Sequence, residues 1–214
     1  MKDSHARLST ATFNLPDLMP EYRTYCIIGQ GRGGTSMTAK LVDMLGGNLT
    51  KTTENLSEDV EFRKVVLTSP LNLEDVKIQL EKRNINSVWA WKIPQCGHNL
   101  HLWYKLIRNP FWIYIIRDHL ASALTEVRLN VVPDAIQGLK IKNYHEQLFF
   151  NFITNINEQK MPIFLISYER ARLHKGEFLS NLINFLGTNP SIASVTSAVD
   201  FIEEEGPLQK PKRI

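Results

Sequence analysis

One stretch constrains this chain more than any other: Tyr25 to Gly47. Tyr25-Cys26-Ile27-Ile28 is an apolar run with the length of a buried strand. It breaks into Gly29-Gln30-Gly31-Arg32-Gly33-Gly34, and a helix-period segment follows, with Met37, Leu41 and Leu45 on one side and Ala39, Val42 and Met44 beside them. Gly46 and Gly47 supply the stop. Strand, glycine-rich turn and helix together make the layout of a phosphate cradle. Backbone N–H groups at the helix start point outward, the helix dipole favours an anion there, and glycines let the backbone come close.

Three cradles can be written this way. The spacing of Gly29 and Gly34 fits GxxxxGK[ST], but Thr35 stands where that loop needs the lysine that reaches the β and γ phosphates. Gly29, Gly31 and Gly34 spell GxGxxG, yet that fingerprint requires a second strand ending in an acidic residue soon after the helix. Asn48-Leu49-Thr50-Lys51-Thr52-Thr53-Glu54-Asn55 has no strand character. The third form carries a cation inside the loop and hydroxyls at the helix start, Arg32-Gly33-Gly34-Thr35-Ser36. It resembles the 5′-phosphosulfate loop of sulfotransferases that use 3′-phosphoadenosine 5′-phosphosulfate (PAPS), usually written [RK]-S-G-T-[ST]. The plain alternative is a glycine-rich turn with no ligand.

The rest of the chain reads as alternating α and β. Ser87–Trp91, Phe111–Ile116 and Pro162–Ser167 are further strands, and Phe111-Trp112-Ile113-Tyr114-Ile115-Ile116 is the strongest of them. Helices are expected over Glu58–Leu67, from Leu73 to about Asn84, over Leu100–Ile107, His119–Leu129, Pro133 to about Gln159, Glu177–Leu186 and Ser191 to about Glu203. This is an α/β pattern: a mostly parallel sheet of about four to five strands with helices on both faces, P-loop-like in layout. Ligands in such sheets bind beyond the carboxyl ends of the strands, so Gly29, Lys92, Arg117 and Tyr168 should share one rim.

At 214 residues a single domain over 1–214 is expected, with an N-terminal arm at 1–23 and a basic C-terminal tail at 205–214. The net charge of +3 suits an anionic small molecule, and no basic stripe interleaved with aromatics points to nucleic acid. Cys26 reads as a core residue and Cys96 as a loop thiol; neither lies in a CxxC, so no metal site or disulfide framework is expected. The N-terminus lacks an apolar signal core and no apolar run is long enough to span a bilayer, which gives the expectation of a cytoplasmic protein. Oligomeric state is not legible.

Further motifs follow the cradle in order. Phe111 to Arg128 ends a strand at Arg117-Asp118 and places Ser122, Thr125 and Arg128 at three-residue spacing, with Leu120, Leu124 and Val127 expected to face the core. A guanidinium and hydroxyls at a helix start can clamp a phosphate. The stretch resembles the sulfotransferase 3′-phosphate motif R-[DN]-P-x-x-x-x-x-S. Arg117 matches the arginine, Thr125 falls at the serine with Ser122 as a nearby alternative, and His119 replaces the proline. Trp89-Ala90-Trp91-Lys92-Ile93-Pro94 resembles the W-G-W-K-D-P segment of bacterial members. Ser167-Tyr168-Glu169 followed by Phe185-Leu186-Gly187 resembles the late Y-E-[DN]…F-L-G signature. The resemblance runs from about Tyr25 to Gly187.

What it implies is sulfuryl transfer from PAPS, as co-substrate, to an acceptor hydroxyl or amine on a small molecule or glycan. Gly31, Arg32, Gly33, Gly34, Thr35 and Ser36 would hold the 5′ end, and Arg117 with Thr125 or Ser122 the 3′-phosphate. Arg32 first, and Lys92 second, would offset charge growing on the leaving oxygen; the alternative role for Lys92 is to orient the acceptor. Glu58 and Glu61 compete as the base that takes the acceptor proton. Glu58 also fits the last position of a capping box begun by Asn55, a role needing no catalysis. His98 and His101 are the bases of a histidine-type alternative, and Trp89, Trp91 and Trp103 are either pocket lining or core. The rival enzyme reading is a kinase with a degenerate loop, whose metal-binding aspartate would be Asp118. The non-enzyme rival is a nucleotide-binding module without catalysis.

Overall fold

A computed structural model of the chain describes residues 9–50 and 58–204. Five strands form one sheet: β1 (Thr10–Phe13), β2 (Arg23–Gly29), β3 (Val88–Lys92), β4 (Pro110–Ile116) and β5 (Ile163–Ser167), in the order β1-β5-β4-β2-β3. The β5, β4, β2 and β3 strands run parallel to their neighbours, and β1 pairs antiparallel with β5 at the edge. The central register sets Cys26 opposite both Trp91 and Trp112.

The helices are α1 (Thr35–Val42), α2 (Val60–Val66), α3 (Leu73–Arg83), α4 (Leu100–Trp103), α5 (His119–Arg128), α6 (Ala135–Glu158), α7 (Tyr168–Leu173), α8 (Lys175–Leu186) and α9 (Ile192–Glu204). They cover both faces, which explains the near-continuous apolar strands. Alternate residues feed two cores. Tyr25 and Ile27 of β2, with Phe111, Ile113 and Ile115 of β4, pack against α1, α8 and α9. Cys26, Ile28, Trp112 and Tyr114 pack on the other side against α2, α3, α4 and α6. There Phe62 meets Trp89, Trp91 and Trp103 edge-on at ring distances of 5.5–6.4 Å. All three tryptophans are fully buried and belong to this core.

The expected sheet is present, with differences at its margins. The N-terminal arm contains β1, a four-residue edge strand exposed at three positions, too short and polar to carry a pattern. Leu100–Ile107 is not one helix but α4 followed by a tight turn at Tyr104–Leu106. Cys96 is buried, not a loop thiol, and burial pushes its thiol pKa up. Among the described residues no helix is long and apolar enough to cross a membrane. The basic tail at 205–214 lies outside the described residues.

Candidate functional site

The chain leaves β2 at Gly29 and turns tightly, with the Gly33 N–H donating to the Gln30 carbonyl at 3.0 Å. Arg32 and Gly34 sit in left-handed backbone, at φ 62° and 93°. Gly34 has a second constraint: a Cβ there would lie 2.3 Å from the Tyr168 ring. The loop can therefore nest against β5's end only with glycine at this position. α1 starts at Thr35 with no side chain capping it and no acidic residue in its first turn. Its first N–H groups consequently lack intrahelical partners and carry the positive end of the helix dipole.

A buried cation stands on the β3 side of this helix start. Lys92 closes β3, is 2% exposed, and donates to Ser36 Oγ at 3.1 Å and to Glu58 Oε1 at 2.9 Å. Arg63 Nε lies 2.9 Å from the other Glu58 oxygen. Burial lowers the Lys92 pKa, Glu58 opposes this, and the nearby Arg32 and Arg63 charges lower it further. Glu58 is 4% exposed and precedes α2. It is not a capping residue: Asp59 caps α2 through the Phe62 N–H at 3.0 Å, and Asn55 lies outside the described residues. Asp59 is in turn held by Arg83 through two nitrogens.

Arg117 guards the β4 side. Its Nη1 donates to the Arg32 carbonyl at 2.7 Å, and its guanidinium lies over the Tyr168 ring at 4.7 Å. Ser122 Oγ reaches the same carbonyl at 3.4 Å. Among the described residues Arg117 Nε is buried without a hydrogen-bond partner, and Glu169 Oε1 lies 3.9 Å from it. Asp118 does not pair with Arg117; it caps α5 by accepting from the Ala121 N–H at 2.7 Å.

Strand ends and loop thus bring together Gly31 to Ser36, Lys92, Glu58, Arg117 and Ser122. Thr125 is buried one turn along α5 and donates to its own helix at Ala121 O, 2.8 Å away. Glu61, His98 and His101 are exposed and, among the described residues, make no bond to the loop; His98 packs on the rings of Tyr144 and His145. The expectation for α5 needs correction. Leu120 and Leu124 are 48% and 50% exposed, while Ser122, Ala123, Thr125 and Glu126 are the buried residues and Arg128 is exposed. The inward face of α5 meets a loop carbonyl and a lysine, so polar side chains belong there.

That lysine is Lys142, which the sequence reading missed. It projects from α6, is 1% exposed, and donates to the Gly31 carbonyl at 2.8 Å and to Glu126 Oε1 at 2.5 Å. One turn on, Glu146 accepts from Gln30 Nε2 at 2.6 Å, and His119 lies 3.2 Å from that nitrogen. Burial, with the charges of His98 and Lys142, pulls His145 below the usual histidine pKa. A usable signal existed: Lys142 interrupts the buried α6 stripe of Gly138, Phe149, Phe152 and Ile156. Buried lysines are rarely unpaired.

Solved structures supply the comparison. The sulfotransferase domain of the Synechococcus PCC 7002 olefin synthase superposes with a TM-score of 0.59 at 14% identity, covering 90% of this chain and 83% of that one. Sulfotransferase STF9 from Mycobacterium avium gives 0.61 at 11% identity, covering 89% and 70%. The fold is that of the sulfotransferases. Mouse sulfotransferase SULT7A1, solved in complex with PAP, matches with a TM-score of 0.50 at 11% identity over 94% of this chain and 71% of its own. No protein-family model matches the sequence, and none of the curated proteins matches it.

Proposed function

We propose that this protein is a sulfotransferase that moves the sulfuryl group of PAPS to a hydroxyl or amine of a small-molecule or glycan acceptor. One observation carries the reading: the helix start at Thr35 is flanked by Lys92 on Ser36 and by Arg117 on the Arg32 carbonyl, with no lysine in the loop itself. Two separated cations suit two separated anionic groups better than a triphosphate chain. The residues fit such a donor. The helix start at Thr35 has N–H groups with no side-chain cap, and the buried Arg117 Nε has a hydrogen to give. The match to a mouse sulfotransferase solved with PAP supports the same assignment.

In this reading the backbone of Gly31 to Ser36, with the Thr35 and Ser36 hydroxyls, binds the 5′ end. Arg117 and Ser122 bind the 3′-phosphate; Thr125, whose hydroxyl is used within α5, contributes to the shape of that wall. Bound there, PAPS supplies a sulfuryl group whose sulfur–oxygen bond to the 5′-phosphate breaks as one to the acceptor oxygen or nitrogen forms. Lys92 and Arg32 offset the charge left on the phosphate oxygen. Glu58 receives the acceptor proton, with Lys92 hydrogen-bonded to one oxygen and the Arg63 charge 2.9 Å from the other, which makes no hydrogen bond among the described residues. Asp118, the aspartate a metal-dependent kinase would need, is engaged as a helix cap, so that rival draws no support from it.

The test is incubation with sulfur-35 PAPS and a panel of phenols, alcohols, amines and saccharides. Label should pass to at least one class, with release of 3′,5′-bisphosphoadenosine. A folded protein that releases no bisphosphate with any acceptor, water included, would contradict the proposal.

A further inference from the structure

Behind the cradle, on the side away from its exposed residues, α6 grips the loop at two successive residues. Glu146 holds the Gln30 side chain, and Lys142, one turn earlier, holds the Gly31 carbonyl. Lys142 is itself fixed by Glu126 of α5. The pair is buried on both sides, at 1% and 11% side-chain exposure. A buried ion pair contributes little to stability against apolar residues of equal volume, so its presence calls for another reason.

The geometry of the peptide unit gives one. In a planar trans peptide the C=O of one residue and the N–H of the next point in opposite directions. The Gly31 carbonyl points into α6 at Lys142, so the Arg32 N–H points away from α6. Among the described residues that N–H has no acceptor. Glycine on one side of this peptide and left-handed backbone at Arg32 on the other make it free to rotate without a tether. Were it to rotate, a carbonyl oxygen would face the anion in place of a donor.

We infer that Lys142, held by Glu126, is a positioning residue that fixes the Gly31–Arg32 peptide so that the Arg32 N–H is presented to the 5′-phosphosulfate of the donor. This rests on the donor-site reading above. The Arg32 carbonyl is held separately by Arg117 and Ser122, so two consecutive peptides of the loop are tied from two different helical elements. No step of the transfer runs through Lys142; its effect is on binding, through one backbone donor.

The experiment compares wild type, E126Q and K142M/E126Q by calorimetry with 3′,5′-bisphosphoadenosine and by thermal unfolding. E126Q keeps the lysine and an oxygen for it to bond but leaves its charge unpaired, so affinity should fall, though by less than in K142M/E126Q. K142M/E126Q leaves no buried charge unpaired but frees the peptide. Its affinity should fall by about ten- to a hundredfold, the worth of one hydrogen bond to a charged group. Wild-type affinity in a folded K142M/E126Q overturns the inference and leaves the donor site standing. A wild type that fails to bind the bisphosphate overturns the donor site and the inference with it. A measurement independent of folding in the variant uses nitrogen-15-labelled wild type: bisphosphate should move the Arg32 amide resonance strongly. Movement of the Gly33, Gly34 and Thr35 amides with Arg32 unmoved overturns the inference.

Discussion

Lys92 and Glu58 separate what this site needs for folding from what it needs for chemistry. The two are 2% and 4% exposed and bonded at 2.9 Å. Lys92→Met strands the Glu58 carboxylate in the interior with Arg63 alone, and breaking such a pair costs about 3–5 kcal/mol. Arg63 keeps one Glu58 oxygen, so the lower end applies: about 3 kcal/mol, or a melting-temperature fall of about 6–12 °C for a chain of this size. K92M/E58Q removes both charges and should recover most of that loss. Transfer behaves differently. If the Lys92 ammonium offsets charge on the leaving oxygen, its loss lowers the turnover rate by about 10²–10³-fold, and restoring stability does not bring it back. The assay pairs differential scanning fluorimetry with release of bisphosphate from PAPS, using water as the acceptor common to every sample. E58Q also removes the base, so the double variant should stay slow on both counts; return of its rate to within about threefold of wild type, once stability has recovered, would refute both the assignment of Lys92 to the transition state and that of Glu58 as base.

Three other outcomes follow from the geometry. Gly34→Ala must hold an alanine at φ 93° with its Cβ 2.3 Å from the Tyr168 ring; strain of about 1–2 kcal/mol and overpacking of about 1–3 kcal/mol should lower the urea midpoint clearly. In a Tyr168→Ala background, Gly34→Ala should cost only the strain part, and an unchanged midpoint in Gly34→Ala alone would contradict the loop geometry. Burial works to raise the Asp59 pKa, but Arg83 and the Phe62 N–H outweigh it and hold the carboxyl below its ordinary value. The unfolded chain therefore takes the proton first, so this contribution is complete above the ordinary aspartate pKa and drains away as pH falls through it toward the lower folded value. Urea midpoints of Asp59→Asn should fall less steeply over that acid window than those of wild type. Ser122→Ala should weaken the bisphosphate more than Thr125→Ala does, because the Thr125 hydroxyl is committed to Ala121 O at 2.8 Å; equal losses in a titration would restore Thr125 as a ligand.

The sheet could be read from the sequence because its strands are covered on both faces. Tyr25 to Ile28 and Phe111 to Ile115 are buried at every position, and a continuous apolar run is how such a strand is written. The loop was legible for a related reason: a left-handed residue pressed against an aromatic ring can only be glycine, and Gly34 announces it. β1 left no such mark, since an edge strand of four residues with one buried position has no period to detect. The face of α5 was misread because Leu120 and Leu124 suggested a core side, whereas its neighbours are the Arg32 carbonyl and Lys142. Glu58 resembled a cap until Asp59 was seen to do that work, and its true partner comes from a strand 34 residues away. Lys142 lies 111 residues from the carbonyl it holds, a pairing that no local pattern encodes.

The central claim is that the rim built by Gly31 to Ser36, Lys92 and Arg117 recognises a 3′-phosphorylated adenosine donor. Titration calorimetry with 3′,5′-bisphosphoadenosine beside ATP–magnesium, on wild type and Arg117→Ala, tests it most directly. The expected result is binding of the bisphosphate without metal, weaker binding of ATP, and loss of about tenfold or more in bisphosphate affinity when Arg117 is removed. Tight, magnesium-dependent binding of ATP with indifference to the 3′-phosphate and to Arg117 would contradict it.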